Sequence, residues 1–290
     1  MLDIIVNPYA GKDGKKVKKI LPLVEKRLLE RDISYVIHST KMPKHATSLT
    51  RSLIESGATD IVVIGGDGTL HEVINGFYNF DKVNLGIIPC GTGNDFISSI
   101  GLPLDPIKAI DIIIDGETKY TDFMQMPTVR GLNIIGMGID VDVLKRYEAI
   151  KRKSKFKYTW CLIKTLFNFK YVDFDVEANG EKSSHRSFIA CIANGYRYGG
   201  GIPICPVANS SDKQLDFLAV KELAKIKIIG AFIKLKKGKI LSLPQATHFN
   251  MQEIKILPKG DYVVNVDGEL YENIPFEVKI VSDTLKIYRP

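Results

Sequence analysis

The 290-residue sequence predicts an α/β N-terminal domain, with a mostly parallel, helix-covered sheet, followed by an all-β C-terminal domain of antiparallel, sandwich-like strands. Three observations carry this reading. Up to about residue 120, short apolar runs alternate with helix-like segments, as right-handed crossovers between parallel strands require. Beyond Lys119 the segments become short, β-rich and punctuated by Gly, Pro, Asn or Asp. Several early apolar runs also stop at glycine-rich turns that open directly into helical patterns.

Taken in order, residues 2–6 read as a strand and 15–30 as a helix; 33–38 as a strand and 44–56 as a helix. Residues 61–64 and 70–78 repeat the pair, and 85–88 lead into helices at 95–100 and 106–115. The second half offers strands at 120–125, 132–137, 172–178, 187–194, 215–220, 253–257, 262–266 and 276–280. The expected division is therefore 1–120 and 121–280.

The most informative stretch is DIVVIGGDGTLHEVIN, residues 60–75. An apolar run ends at Gly65, Gly66 and Gly68 set around Asp67, and a helical pattern follows at once. Glycine lets backbone N–H groups converge on an anion while the helix adds the positive end of its dipole. Thr69 and Asp67 are placed to reach a hydroxyl partner or a cation. A lone Gly-Gly would fit an ordinary tight turn, but LGIIPCGTGNDF at residues 85–96 repeats the design, with Gly91 and Gly93 ahead of Asn94 and Asp95. LDIIVNP at the start of the chain reaches Asn7 and Pro8, then Ala10 and Gly11, before a lysine-rich helix. Three strand ends of one chemistry predict a nucleotide site.

GGDGT followed by GTGNDF, with NPYAG near the start, resembles the diacylglycerol kinase catalytic-domain family, in its bacterial, sphingosine kinase-related lipid kinase branch. GGDGT alone is shared in related form with NAD kinases and phosphofructokinases; the GTGND loop discriminates. Thr40 with His45 and Ala46 is similar to a further family signature, and VDGE at residues 266–269 to its late catalytic turn. The resemblance spans nearly the whole chain. It implies that segment 281–290 rejoins the first domain, and that ATP and Mg²⁺ serve transfer of a phosphoryl group to a lipid hydroxyl, with diacylglycerol the leading acceptor.

The same resemblance assigns the residues. ATP would meet Asn7, Pro8, Gly11, Thr40, Gly65, Gly66, Asp67, Gly68, Thr69, Thr92, Asn94 and Asp95. Asp267 would be the base that takes the alcohol proton, although Asp-Gly between two β segments is also a common hairpin turn. Asp212, with carbonyls at Asn209 and Gln214 and with Glu269 nearby, would supply hard oxygen ligands of the kind Mg²⁺ takes. Lys213 stands where the family usually has glycine, so an ordinary polar turn is the alternative there.

The remaining composition bounds the function. The balance of 45% hydrophobic and 25% charged residues is that of a globular protein, and no apolar run approaches the ~20 residues that span a bilayer. Cys90, Cys161, Cys191 and Cys205 lack metal or disulfide spacing, and the start of the chain lacks a leader pattern, so a reduced, cytoplasmic setting is expected. His38, His45, His71, His185 and His248 form no metal or triad motif. Residues 145–157 hold seven Lys or Arg against one Glu, and 224–240 hold six lysines and no acid. Such segments suit an anionic membrane surface, with a solvated helix face the alternative. The net charge of +7 permits weak attraction to nucleic acid, but no recognition motif accompanies it. A homodimer is compatible with the sequence. NAD kinase-like phosphorylation of a soluble substrate and a non-catalytic lipid- or nucleotide-binding protein stand as the rival readings.

Overall fold

The computed structural model describes residues 1–290 apart from 12, 151–154, 166–168 and 224. Residues 151–154 and 224 of the two basic stretches thus lie outside the described residues. The chain forms two compact units, Met1–Asp122 with Ser282–Pro290, and Phe123–Val281.

The first unit is built from β1 (Leu2–Val6), α1 (Val17–Glu30), β2 (Tyr35–Ser39), α2 (His45–Glu55), β3 (Asp60–Gly65), α3 (Asp67–Gly76), β4 (Asn84–Pro89), α4 (Asp95–Ser99) and α5 (Pro106–Asp115). The strands run parallel in the order β4-β3-β1-β2. β1 is buried at every residue, and β3 and β4 at all but the first, because helices cover both faces. That burial is why these strands read as continuous apolar runs. Register pairs Val6 with Ile64 and Gly65 with Pro89, so three strands deliver their following loops to one edge. α3 starts at Asp67 rather than at residue 70, since Gly66 is its N-cap and the Leu70 N–H already donates to the Gly66 carbonyl at 3.0 Å. α5 starts where the sequence places it: Pro106 follows Asp105, whose carboxylate accepts from the N–H groups of Ile107 and Lys108.

The second unit begins within β5 (Thr118–Gln125) and continues through β6 (Arg130–Gly131), β7 (Ile134–Gly138), α6 (Ile139–Glu148), α7 (Lys155–Thr165), β8 (Val172–Ala178), β9 (Glu181–Ala193), β10 (Leu215–Lys221), α8 (Lys225–Lys236), β11 (Ala246–Met251), β12 (Glu253–Pro258), β13 (Val263–Val266), β14 (Glu269–Glu272) and β15 (Glu277–Tyr288). Its ladders are antiparallel. The long strand β9 pairs β8 along its first half and both β7 and β10 along its second, which turns the sheet into a sandwich. One core lies between the strands, around Phe174, Ile192, Phe217 and Val264; another includes α6, α7 and α8. The three helices accompany the expected strands because residues 139–148, 155–165 and 225–236 carry apolar side chains at helical spacing, obscured in the sequence by the basic residues among them. Among the described residues no helix is long and apolar enough to cross a membrane, and the four cysteines are buried and unbridged.

β15 (Glu277–Tyr288) joins the strand expected at 276–280 to the 281–290 segment expected to rejoin the first domain. Lys286 and Ile287 pair in parallel with Asn84 and Leu85, so the chain's end enters the first unit's sheet. There the Tyr288 hydroxyl, the Asn84 amide and the Thr59 hydroxyl all donate to the Asp60 carboxylate. Burial opposes the Asp60 charge, yet these donors hold its carboxyl below the usual aspartate range. Tyr288→Phe should cost about 1.5–3 kcal/mol, the usual value of a hydrogen bond to a charged group. Because a depressed carboxyl stabilises the fold fully above about pH 4 and loses that contribution as pH falls through its lower folded value, the gap in urea midpoint between Tyr288→Phe and wild type should narrow in acid.

Candidate functional site

The loops after β1, β3 and β4 converge within the first unit. A β-carbon on Gly91 would lie 2.5 Å from the Gly66 Cα, and one on Gly66 would lie 2.7 Å from the Gly91 Cα, so the two turns touch backbone to backbone. Only glycine at both positions allows that approach. The Asn7 amide donates to the Thr69 hydroxyl at 3.1 Å, and the Lys16 ammonium donates to the Gly91 carbonyl at 2.8 Å, so the first loop is pinned to both others. Asp67 accepts from the backbone N–H groups of Asp95 at 3.0 Å and Phe96 at 3.4 Å, joining the second loop to the start of α4. Asn94 adopts a left-handed conformation and its side chain exchanges hydrogen bonds with both backbone groups of Gly91.

The other residues expected at a nucleotide fall around this knot. Gly65 packs on Thr69, where a β-carbon would sit 2.6 Å from the Thr69 Cβ. Gly11, at φ +66, lies against the Cys90 carbonyl, and Pro8 presents its carbonyl to Gly14. Thr40 donates its N–H to the Val6 carbonyl at the end of the neighbouring strand. Gly68 and Thr92 are exposed, whereas Thr69, Asn94 and Asp95 are buried. α3 begins with Gly66 as N-cap, which has no side chain to cap it, and Asp67 stands in its first turn at the positive end of the helix dipole. Sequence reasoning missed Lys16, the cation held at the meeting of the loops, because it reads as one lysine among several on α1. It also missed Glu72, whose carboxylate accepts from the N–H groups of Lys44 and Ala46 and so ties α3 to the start of α2. His45 accepts there from the Lys41 N–H.

In the second unit Asp267 occupies the two-residue hairpin that Val266 and Glu269 close, with φ +53 at Asp267 and +100 at Gly268. The hairpin reading holds, and the turn directs the Asp267 carboxylate at the segment that leads into β7. It accepts from the backbone N–H groups of Leu132 at 2.6 Å, Asn133 at 2.9 Å and Ile134 at 3.0 Å. That segment is fastened in turn by Asn194, whose amide donates to the Leu132 carbonyl, and by the Asn133 amide, which donates to the Arg197 carbonyl.

Behind the turn lies a pair that the sequence did not reveal. Asn265 accepts from the Gly268 N–H at 2.8 Å and donates to buried Asp140 at 3.2 Å. Asp140 sits in the first turn of α6, entered through Gly138 at φ +98, and leans on Gly136, where a β-carbon would collide with it. The signal was the pattern GMGID at the end of a strand, a further glycine turn into a helix. Burial pushes the Asp140 carboxyl up to about 7, against the Asn265 hydrogen bond, and its second oxygen has no hydrogen-bond partner among the described residues.

The residues expected to hold a metal occupy the 209–214 turn and the edge of β14. Asp212 accepts from the Gln214 N–H at 3.0 Å across Lys213, which takes the left-handed conformation at φ +63 that glycine would adopt at lower cost. The lysine therefore preserves the turn. Asn209, Asp212 and Glu269 are exposed, and Gln214 is half-buried. Cys205, Asp216 and His248 also gather, but the Asp216 carboxylate accepts from the Asn250 amide at 3.1 Å and is hydrogen-bonded to His248 at 2.7 Å. Burial and the Asp216 charge push the Cys205 thiol up to about 12, which disfavours the thiolate a metal would need.

Comparison with known proteins agrees with this layout. Residues 2–126 match the diacylglycerol kinase catalytic domain, and residues 133–289 match the YegS C-terminal NAD kinase beta sandwich-like domain. The chain is similar to a diacylglycerol kinase of Staphylococcus epidermidis, 29% identical over 293 residues, covering 99% of this chain and 91% of the other. It is similar also to a diacylglycerol kinase of Mycobacterium tuberculosis, 27% identical over 296 residues, covering 99% and 94%. A crystallised chain from Bacillus anthracis str. Sterne shares the fold with TM-score 0.82 at 24% identity, covering 100% of this chain and 96% of that one.

Two expectations follow from the geometry. Gly91→Ala should cost about 1–3 kcal/mol through overpacking and weaken nucleotide binding by forcing the loops apart; unchanged affinity in a nucleotide titration would show that the spacing is not required. Asp140→Asn should alter the pH profile of stability. A carboxyl raised on folding takes up a proton between about pH 4 and its folded value of about 7, so wild-type stability declines as pH rises through that window. Urea midpoints of Asp140→Asn should lack the decline.

Proposed function

The chain belongs to the bacterial diacylglycerol and lipid kinase family, and we propose that it is an ATP-dependent lipid kinase whose acceptor is a membrane-lipid hydroxyl, with diacylglycerol giving phosphatidic acid the leading case. The observation that carries this reading is the convergence of three glycine-bearing loops at the carboxyl edge of a parallel sheet, with Gly66 and Gly91 in backbone contact and Lys16 beside them. Backbone N–H groups there, with the first turn of α3, suit a triphosphate tail.

Phosphoryl transfer asks little covalent chemistry of the protein; it needs the phosphates held, their charge offset and the acceptor oxygen aligned. Loop residues Asn7, Gly11, Gly66, Gly68, Thr69 and Thr92 hold the nucleotide, and Lys16 supplies positive charge. Asp267 takes the proton of the acceptor hydroxyl as that oxygen bonds to the γ-phosphorus and the bond from that phosphorus to the bridging oxygen breaks, releasing ADP. Three backbone N–H groups, bonded to both of its oxygens, fix the orientation of this carboxylate. Asn265, steadied by Asp140, positions the turn that carries it. The donors of Asp212, Asn209, Gln214 and Glu269 fit Mg²⁺, which when bound would offset phosphate charge. In this reading the protein works in the cytoplasm, at the membrane face where its acceptor lies.

Purified protein incubated with labelled ATP, Mg²⁺ and a mixed lipid extract should yield a labelled phospholipid identifiable by mass. Label on a soluble dinucleotide would favour an NAD kinase-like activity, and absence of any product would favour a binding protein of the same fold. Asp267→Asn should lower turnover by about 10²–10⁴-fold, the usual contribution of a general base, while ATP affinity stays near wild type. Near-normal turnover in that variant would remove Asp267 from the mechanism.

A further inference from the structure

α7 and α8 each carry two apolar faces where a surface helix carries one. The inner faces, with Cys161 and Leu162 on α7 and Ile228, Ala231 and Leu235 on α8, are buried in one shared cluster. The outer faces are exposed: on α7 Phe156 is 81% exposed, Trp160 44% and Ile163 42%, and on α8 Ile229 is 57% exposed and Ile233 49%. Phe156, Trp160 and Ile163 follow i, i+4, i+7 spacing, which stacks them on one side of α7, opposite Cys161 and Thr165. Single exposed apolar residues need no explanation, but a stripe on each of two helices over the same core does.

The charges on the two helices are of one sign. Neither helix contains an acidic residue, and Lys164, Lys227 and Lys236 are exposed on them, with Lys237 and Lys239 just beyond α8. The Lys164 ammonium lies 4.0 Å from the Trp160 ring centroid. A protein partner is disfavoured, since lysine is depleted where protein interfaces bury their centres. A second copy of this face would set lysine against lysine. An anionic lipid surface satisfies both features, taking the apolar side chains into its acyl boundary and the ammonium groups among its head groups.

We propose that the outer faces of α7 and α8 dock this protein on an anionic bilayer, with Phe156, Trp160, Ile163, Ile229 and Ile233 entering the interface. The proposal deepens the lipid-kinase reading, but its test reads docking separately from catalysis. Trp160 is the single tryptophan of the chain, so its fluorescence reports this face alone. Adding mixed phosphatidylglycerol–phosphatidylcholine vesicles should shift the emission to shorter wavelength and make it quenchable by brominated acyl chains, and salt should reverse the effect. Lys164→Gln and Lys236→Gln should each weaken vesicle binding by about fivefold. The double variant Phe156→Ser, Ile163→Ser should lose it while keeping activity on a short-chain, monomeric diacylglycerol. Emission that ignores anionic vesicles would overturn the proposal even if lipid is phosphorylated, as would a concentration-dependent shift without lipid, which would assign the face to a second copy. Quenching by vesicles in a protein that phosphorylates no lipid would sustain the docking surface and sink the kinase reading instead.

Discussion

The contact between Gly66 and Gly91 is the constraint on which the first unit's chemistry depends. Two βα turns from adjacent parallel strands come together without a side chain between them, and every other link in the knot presumes that separation. The Asp67 carboxylate reaches the N–H groups of Asp95 and Phe96 only because the turns are that near, and Lys16 meets the Gly91 carbonyl from the third loop. A methyl group at either glycine would spread all three.

The second unit solves a different problem, that of holding one carboxylate still. Asp267 stands on a two-residue hairpin, a geometry with φ positive at both positions, and the N–H groups of residues 132–134 fix its side chain. Asn265 braces the same turn from behind and leans on Asp140, a carboxyl whose burial makes its charge expensive near neutrality. Buried polar groups of this kind fix a conformation where they are partnered.

Charge and apolar surface are also divided in a way that matters. In the first unit's sheet β1, β3 and β4 bury their apolar side chains, whereas α7 and α8 leave apolar side chains outside among lysines. Burial of their inner faces shows that this exposure is not poor packing, because the same helices already satisfy a core.

Much of this was legible in the sequence. Period and punctuation announced the parallel sheet, the crossover helices and the three glycine turns, because strands buried on both faces must be continuously apolar and glycine alone tolerates close backbone approach. The family resemblance pointed to Asp267 and to the 209–214 turn. The helices of the second unit were obscured by lysines that a helix can direct to solvent, and β14 by its polar side chains. What only the tertiary structure decided is which groups meet across long separations: Lys16 with Gly91, Asp67 with Asp95, Asp267 with residues 132–134, Asn265 with Asp140. A sequence records the conformational preferences of neighbours along the chain, but hydrogen-bond partners far apart are selected by the packing of strands and helices that brings their backbones within 3 Å or so of one another.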